Sequence, residues 1–182
     1  MKILKNELKS NLNIRTEKNF PKEGIEFIDI MPLIIQKETF SEIIEKFAYE
    51  IQSKNVDYIV GPEARGLIIG AAVANKLEIG FIPVRKSGKL PPSTVETKFE
   101  YEKEYGKDIL ELPKLVNEEY RGKSFYIVDD IYATGNTMKA IKKAIEDAGG
   151  IIKGQGVIMN IKELNNDTHI YSLLDINEEF EK

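Results

Sequence analysis

The residues best suited to chemistry lie together in the segment Phe125–Thr137, which reads FYIVDDIYATGNT. An apolar run ends there in two adjacent carboxylates, Asp129 and Asp130, and a short loop of small and hydroxyl-bearing residues follows. Such a loop suits a phosphate, because backbone N–H groups at the start of a helix point outward and carry partial positive charge. Gly135 would let the backbone approach the ligand closely, and the loop lacks the lysine of a Walker loop.

The two carboxylates indicate a different part of the same ligand. A carboxylate repels a phosphate but accepts hydrogen bonds from the hydroxyl groups of a sugar. Asp129 and Asp130 beside a phosphate loop therefore favour a ribose phosphate. The loop residues expected on its phosphate are Ala133, Thr134, Gly135, Asn136 and Thr137. The alternative is an ordinary strand–turn–helix in which Asp130 caps the helix and Asp129 is solvated, and the whole string after an apolar strand favours the ligand site.

Alternating elements must hold this segment in place. Apolar residues at helical spacing predict a helix over 40–51, and a run rich in alanine and isoleucine predicts a second over 66–76. Short β-rich runs predict strands at 56–60 and 81–84. The run 125–128 is apolar on both faces, which is typical of a strand in the centre of a parallel sheet.

The rest of the chain continues the alternation, with a helix predicted over 136–148 and a strand over 151–159. Such alternation predicts an α/β fold with a central parallel sheet flanked by helices. Ligands bind such sheets outside the carboxyl ends of the strands. Residues 1–35 fall outside the alternation and are expected to form a small lobe, with 36–182 as the core. The polar stretch 87–106 is long enough to be a functional lid.

Composition restricts the classes of function. The 182 residues suit one domain, and a net charge of −4, from 26 basic and 30 acidic residues, argues against a nucleic-acid-binding surface. Without cysteine, disulfides, thiolate metal sites and cysteine nucleophiles are excluded. The single histidine, His169, is interpreted as a structural strand residue. The sequence has neither an apolar run near the roughly 20 residues of a membrane span nor a signal-peptide start, so a cytoplasmic location without membrane contact is expected.

The string at 125–137 resembles the phosphoribosyl diphosphate (PRPP) motif of the type I phosphoribosyltransferases. Further segments have the order and spacing of the adenine phosphoribosyltransferases and narrow the resemblance to that family. They are 19–30 (NFPKEGIEFIDI), 61–66 (GPEARG), 83–91 (PVRKSGKLP) and 104–108 (EYGKD). The resemblance implies a type I phosphoribosyltransferase-like fold, with residues 1–35 as a small N-terminal hood over the base site and 87–106 as a long flexible catalytic loop.

The resemblance also implies where each part of PRPP binds. Asp129 and Asp130 would bind the ribose hydroxyls, and 133–137 the 5-phosphate. The pyrophosphate would contact a set of residues from two segments, partly across the interface of a homodimer. These residues are Glu63, Ala64, Arg65, Arg85, Lys86 and Lys89. A non-proline cis peptide is implied at Glu63–Ala64. Magnesium would be held mainly by PRPP itself, without a dedicated site on the protein.

The implied reaction transfers ribose 5-phosphate from PRPP to adenine, giving AMP and pyrophosphate. Catalytic roles would fall on Glu104, Arg65 and Tyr105. The base would lie beside Glu26, Phe27, Ile28 and Ile131. Ile28 stands where the family usually has arginine, and Glu26 where an apolar residue is common, so another purine is an alternative. A non-catalytic PRPP-binding regulator is a second alternative.

Overall fold

Strands and helices alternate along the chain as the sequence predicts. The computed structural model describes residues 14–19, 23, 26–103 and 106–176. Its strands are β1 (Arg15–Lys18), β2 (Glu26–Asp29), β3 (Tyr58–Pro62), β4 (Gly80–Lys86), β5 (Val95–Lys103), β6 (Gly106–Pro113), β7 (Ser124–Tyr132), β8 (Ile151–Ile161) and β9 (Tyr171–Ile176). Its helices are α1 (Met31–Ile35), α2 (Lys37–Ile51), α3 (Arg65–Leu77) and α4 (Asn136–Asp147), with short 3-10 turns at Pro92–Thr94 and Lys162–Leu164.

A seven-stranded sheet forms the centre, in the order β5-β6-β4-β3-β7-β8-β9. The strands from β4 to β9 in this order pair in parallel, which confirms the predicted central parallel sheet. At the other edge β6 pairs antiparallel with β4, and β5 pairs antiparallel with β6. A separate two-stranded sheet pairs β1 with β2. The sheet is therefore mixed, and its antiparallel part consists of β5, which lies within the predicted loop 87–106, and β6, for which the sequence made no prediction.

That segment, 87–106, is a strand over 95–103 rather than a continuous loop. The strand has the two-residue period of a half-buried strand, with Phe99 and Tyr101 facing the core. The positions between them are charged, as at Glu100. The average composition of the segment is therefore polar, and composition alone does not indicate a strand. Residues 104 and 105 lie outside the described part of the chain.

Two hydrophobic clusters hold β7 from opposite faces of the sheet. Side chains of α2 and α3 pack with Tyr126 and Val128 on one face. Side chains of α4, β5 and β6 pack with Phe125 and Ile127 on the other face. All four of these β7 residues are buried, as expected for a central strand that is apolar on both sides. The carboxyl end of β7 is therefore held firmly from both layers.

The N-terminal residues described here are continuous with the core. Ile30 and Leu33 belong to the cluster formed with α2 and α3, so packing does not stop at residue 35. Asp29 ends β2, and its Oδ1 accepts a hydrogen bond from the backbone N–H of Met31 at 2.9 Å. The β1–β2 sheet is thereby anchored directly to α1. A role for it as a hood stays a prediction.

His169, predicted within a strand, lies before β9, because Asp167 Oδ1 accepts its backbone N–H at 2.8 Å and forms a turn. Among the described residues, no helix has both the length and the apolar character needed to cross a bilayer.

Candidate active site

The candidate site lies where β3, β4 and β7 end. Because β3 pairs in parallel with both neighbours, the segments that follow the three strands emerge at the same edge of the sheet. This arrangement brings Glu63–Arg65, Arg85–Lys86 and Asp129–Thr137 together. The resemblance implied that these segments bind different parts of one ligand, and the fold places them side by side.

The two carboxylates lie at the base of this site. The backbone N–H of Asp130 donates to Asp129 Oδ1 at 2.8 Å, and the Asp130 side chain is only 10% exposed. Burial, reinforced by the neighbouring charge of Asp130, raises the pKa of Asp129 well above its usual range. A Cβ at Gly66 would lie 2.8 Å from Asp129 Oδ1, so a glycine is needed for α3 to approach β7 this closely.

Arg65 links three of the predicted subsites. Its Nε lies 2.6 Å from Asp130 Oδ2, and its guanidinium carbon lies 5.4 Å from the centre of the Phe27 ring. Oδ2 is buried and has no aligned hydrogen-bond donor, so this contact is an ion pair rather than a directed hydrogen bond. One cation from the predicted pyrophosphate segment therefore contacts a predicted ribose ligand and a predicted base contact.

The Glu63–Ala64 peptide is cis, as the resemblance implied. The Glu63 carboxylate faces β4 rather than an open anion site. Its Oε2 accepts hydrogen bonds from the backbone N–H of Lys86 at 3.0 Å and from Arg85 Nε at 2.9 Å. These two donors lower the pKa of Glu63. Since a carboxylate repels pyrophosphate, Glu63 is better suited to holding Arg85 in position than to contacting the ligand through its side chain.

Sequence reasoning missed Glu111, a buried carboxylate beneath the basic turn that follows β4. Its Oε1 accepts from Gly88 N–H at 3.0 Å and Ser87 Oγ at 3.3 Å, and its Oε2 from Leu90 N–H at 3.3 Å. Lys98 Nζ lies 2.8 Å from Oε1. The available signal was one acid between two leucines in an apolar run, which calls for a buried partner.

These contacts make Glu111 the centre of the turn that carries Lys89. The hydrogen bond from Lys98, aided by that from Gly88, lowers the pKa of Glu111 to about 2. The carboxylate is therefore charged at neutral pH, and its two oxygens fix backbone N–H groups on either side of Lys89. Both Lys86 and Lys89 are solvent-exposed and free to face an anion.

Replacing Glu111 with glutamine is expected to raise the KM for PRPP, the substrate that the resemblance implies, by roughly tenfold, because an amide cannot accept from all four donors and the turn loosens. Steady-state kinetics would measure this, with Glu100→Gln on the exposed face of β5 as the control.

The ionised Glu111 carboxylate also contributes to stability. Because its pKa is lowered, this contribution is complete above the usual pKa range of glutamate and is lost as pH falls toward 2. The stability difference between wild type and Glu111→Gln should therefore shrink on acidification; a constant difference would contradict this.

The predicted phosphate loop begins a helix as expected. Gly135 has a φ of 79°, a backbone conformation that favours glycine, and α4 begins at Asn136. The backbone N–H of Lys139 donates to Gly135 O at 2.9 Å, which is the first helical hydrogen bond. The backbone N–H groups that precede Lys139 have no acceptor within the helix, as at the start of any α-helix, and they suit an anion.

The predicted base contacts come from two elements. Phe27 and Ile28 lie in β2 and are half-buried, as is Ile131 near the end of β7. Ile28 and Ile131 pack against the same hydrophobic cluster, and Arg65 lies over Phe27. Glu26 is the first residue of β2. The predicted catalytic residues Glu104 and Tyr105 lie outside the described residues.

Comparison with known proteins agrees with this geometry. Residues 34–181 match the family model of the phosphoribosyl transferase domain. The adenine phosphoribosyltransferase of Clostridium acetobutylicum is 46% identical over 153 residues, which are 84% of this chain and 87% of that protein. That of Brachyspira hyodysenteriae is 45% identical over 157 residues, 86% of this chain and 90% of the relative.

Solved structures give the same result. The crystal structure of the enzyme of that name from Thermoanaerobacter pseudethanolicus has a TM-score of 0.84 at 38% identity, and covers 94% of this chain and 99% of its own. The Saccharomyces cerevisiae enzyme, complexed with an imino-altritol bisphosphate and adenine, has a TM-score of 0.82 at 34% identity, with coverage of 96% and 100%. The chain therefore belongs to the adenine phosphoribosyltransferase family.

Proposed function

We propose that this chain transfers the ribose 5-phosphate group of PRPP to adenine, releasing pyrophosphate and forming AMP. The observation that carries the proposal is the Arg65–Asp130 contact of 2.6 Å. It brings the cation suited to the pyrophosphate beside the carboxylate suited to the ribose, at the position where the bond between those two groups must break. Family membership supports adenine as the acceptor.

The site residues divide the ligand between them. Asp129 and Asp130 accept hydrogen bonds from the ribose hydroxyls. The loop 133–137 receives the 5-phosphate at the start of α4. Arg65 and the basic residues Arg85, Lys86 and Lys89 face the pyrophosphate. Glu63 contributes through its backbone and by holding Arg85.

The chemistry follows from this division. Cleavage between ribose C1 and pyrophosphate gives an oxocarbenium-like transition state, as in glycoside cleavage. Negative charge grows on the departing pyrophosphate, and Arg65 is placed to offset it. A nitrogen of the base then attacks C1 and loses its proton. We assign that proton to Glu104, with Tyr105 beside it, on the resemblance of 104–108 to the family's catalytic loop.

Magnesium is proposed to enter with PRPP. Among the residues that the structure describes, no cluster of three or more acidic or histidine side chains could hold a metal ion. The oxygen atoms of PRPP and of water fit Mg²⁺, which keeps several waters and seldom needs a cage of protein ligands. The bound ion would neutralise pyrophosphate charge. A homodimer and a cytoplasmic location are likewise proposals, made from the resemblance and the sequence.

The test is to mix the protein with Mg²⁺ and PRPP and to offer adenine, guanine, hypoxanthine and xanthine separately. We expect AMP and an equal amount of pyrophosphate from adenine alone. Product from a different base would retain the reaction but refute adenine as the acceptor, and would point to Ile28 and Glu26 as the cause. Binding of PRPP without product from any base would favour the non-catalytic regulator. Reactions without a base measure PRPP hydrolysis and serve as the control.

A further inference from the structure

Beneath the loop 133–137 lies a group of buried and half-buried polar side chains that the reaction does not use. Tyr132, the last residue of β7, is 1% exposed, and its hydroxyl donates to Asp167 Oδ2 at 3.0 Å. A Cβ on Gly135 would collide with the Tyr132 hydroxyl. The phenol therefore lies directly against the backbone of the loop at its left-handed residue, and its position is set by Asp167.

Asn165 holds the start of the same loop. Its Nδ2 donates to Ala133 O at 2.8 Å, and also lies 2.9 Å from both Asn160 Oδ1 and Ile161 O. An amide nitrogen has two hydrogens, so three acceptors use its full donor capacity. Asn160 is fully buried and Asn165 is half-buried, so this arrangement joins the loop to the interior. The carbonyl of Ala133 is thus fixed by a side chain from beyond β8.

Asp167 connects these two supports. Its backbone N–H donates to Asn165 Oδ1 at 3.1 Å, and its Oδ1 accepts from the backbone N–H of His169 at 2.8 Å. These contacts leave Oδ2 for Tyr132. The hydrogen bond from His169, together with that from Tyr132, lowers the pKa of Asp167, so the acceptor is charged. Burial and the nearby Asp167 raise the pKa of Tyr132, so the phenol keeps its proton.

The loop carbonyls are consequently turned toward donors of the protein. Ala133 O is bound by Asn165, and Thr134 O accepts from Lys139 Nζ at 3.3 Å. A loop held by its carbonyls keeps its N–H groups oriented before the ligand arrives, which reduces the ordering cost of binding. A loop without these supports would have to order itself around each phosphate.

We propose that Tyr132, Asp167 and Asn165 form a scaffold that fixes the phosphate loop in its binding conformation, with Tyr132 as a positioning residue for the 5-phosphate. The proposal rests on the proposed function for the assignment of 133–137 to that phosphate. It adds residues about 30 positions downstream to the determinants of PRPP affinity. None of the three side chains needs to contact the ligand.

Tyr132→Phe tests this by removing only the hydroxyl. Calorimetric titration with ribose 5-phosphate should show roughly tenfold weaker binding, since a hydrogen bond to a charged acceptor is lost. In kinetics, the KM for PRPP should rise by a similar factor, while kcat and the KM for adenine stay within about twofold of wild type. A role limited to general stability would lower the melting temperature without this separation.

Tyr126→Phe is the matched control, because Tyr126 is a second buried tyrosine of β7 and packs in the opposite cluster. It should bind ribose 5-phosphate as wild type does. Asp167→Asn is a second variant that keeps side-chain shape. It should weaken binding in the same direction, and the double variant should lose little more than either single one.

The outcomes separate this proposal from the proposed function. Wild-type affinity for ribose 5-phosphate in both Tyr132→Phe and Asp167→Asn would overturn the scaffold, as would equal losses in Tyr126→Phe. Failure of the wild-type protein to bind ribose 5-phosphate would also overturn it. If the wild type binds ribose 5-phosphate but makes no nucleotide, the proposed function is refuted. The affinities of the variants for ribose 5-phosphate relative to wild type would then still test the scaffold.

Discussion

Asp130→Asn is expected to weaken PRPP binding by roughly 100-fold or more, because hydrogen bonds to a charged acceptor contribute about 1.5–3 kcal/mol each. The Asp130 carboxylate is nearly buried and lies 2.6 Å from Arg65. Asparagine offers one acceptor in place of two and presents an NH2 group to the same cation. Titration calorimetry with PRPP and Mg²⁺ would measure the loss. Asp147→Asn, an exposed acid on α4, is the control.

The same variant should remain folded. Burial, and after it the charge of the adjacent Asp130, raises the pKa of Asp129. When the pKa of a carboxyl group is higher in the folded than in the unfolded protein, the free energy of unfolding falls as pH rises from the unfolded-state pKa through the folded-state pKa. Removing the charge at position 130 lessens that fall and so offsets part of the loss of the ion pair with Arg65, and thermal unfolding at neutral pH would check that the variant is folded. Unchanged PRPP affinity in a folded variant would refute the ribose assignment.

Arg65→Gln is expected to reduce kcat by roughly 100- to 1000-fold, the range found when one preorganised group that stabilises transition-state charge is removed. Arg65 is the guanidinium closest to the predicted ribose carboxylate, and it is held there by Asp130 and the Phe27 ring. Its charge acts on the pyrophosphate as the bond to C1 breaks. Single-turnover measurements would separate this chemical step from product release.

Two variants sharpen the result for Arg65. Arg65→Lys keeps the charge but loses the planar fork, so its rate should lie between those of wild type and Arg65→Gln. Arg121→Gln, an exposed arginine in the turn before β7, should behave as wild type. A loss confined to the KM for PRPP, with kcat unchanged, would show that Arg65 serves binding alone.

The strand and the helix that flank the candidate phosphate loop could be predicted from the sequence. The apolar run before Asp129 required a central strand, and Gly135 before a helical run required a helix start at Asn136; both are confirmed. The cis peptide at Glu63–Ala64 came from the resemblance alone and is also confirmed. The strand and the helix start could be predicted from local spacing because each depends on residues that are neighbours in the chain.

What the sequence did not reveal depends on contacts between distant residues. Tyr132 meets Asp167, 35 positions away, only because β8 and the segment after it return beside β7. Glu111 receives its donors from the turn after β4, which lies beside it because β4 pairs antiparallel with β6, a strand that the sequence did not predict. The direction of the Glu63 side chain toward Arg85 likewise depends on the pairing of β3 with β4.

The position of Arg65 has a thermodynamic consequence for the two substrates. The same guanidinium contacts Asp130, assigned to the ribose, and Phe27, assigned to the base. If pyrophosphate draws Arg65 toward itself and away from the Phe27 ring, we expect PRPP to increase the affinity for the base. Linkage is reciprocal, and the base must increase the affinity for PRPP by the same factor. One side chain that contacts both predicted subsites would in this way couple the binding of the two substrates.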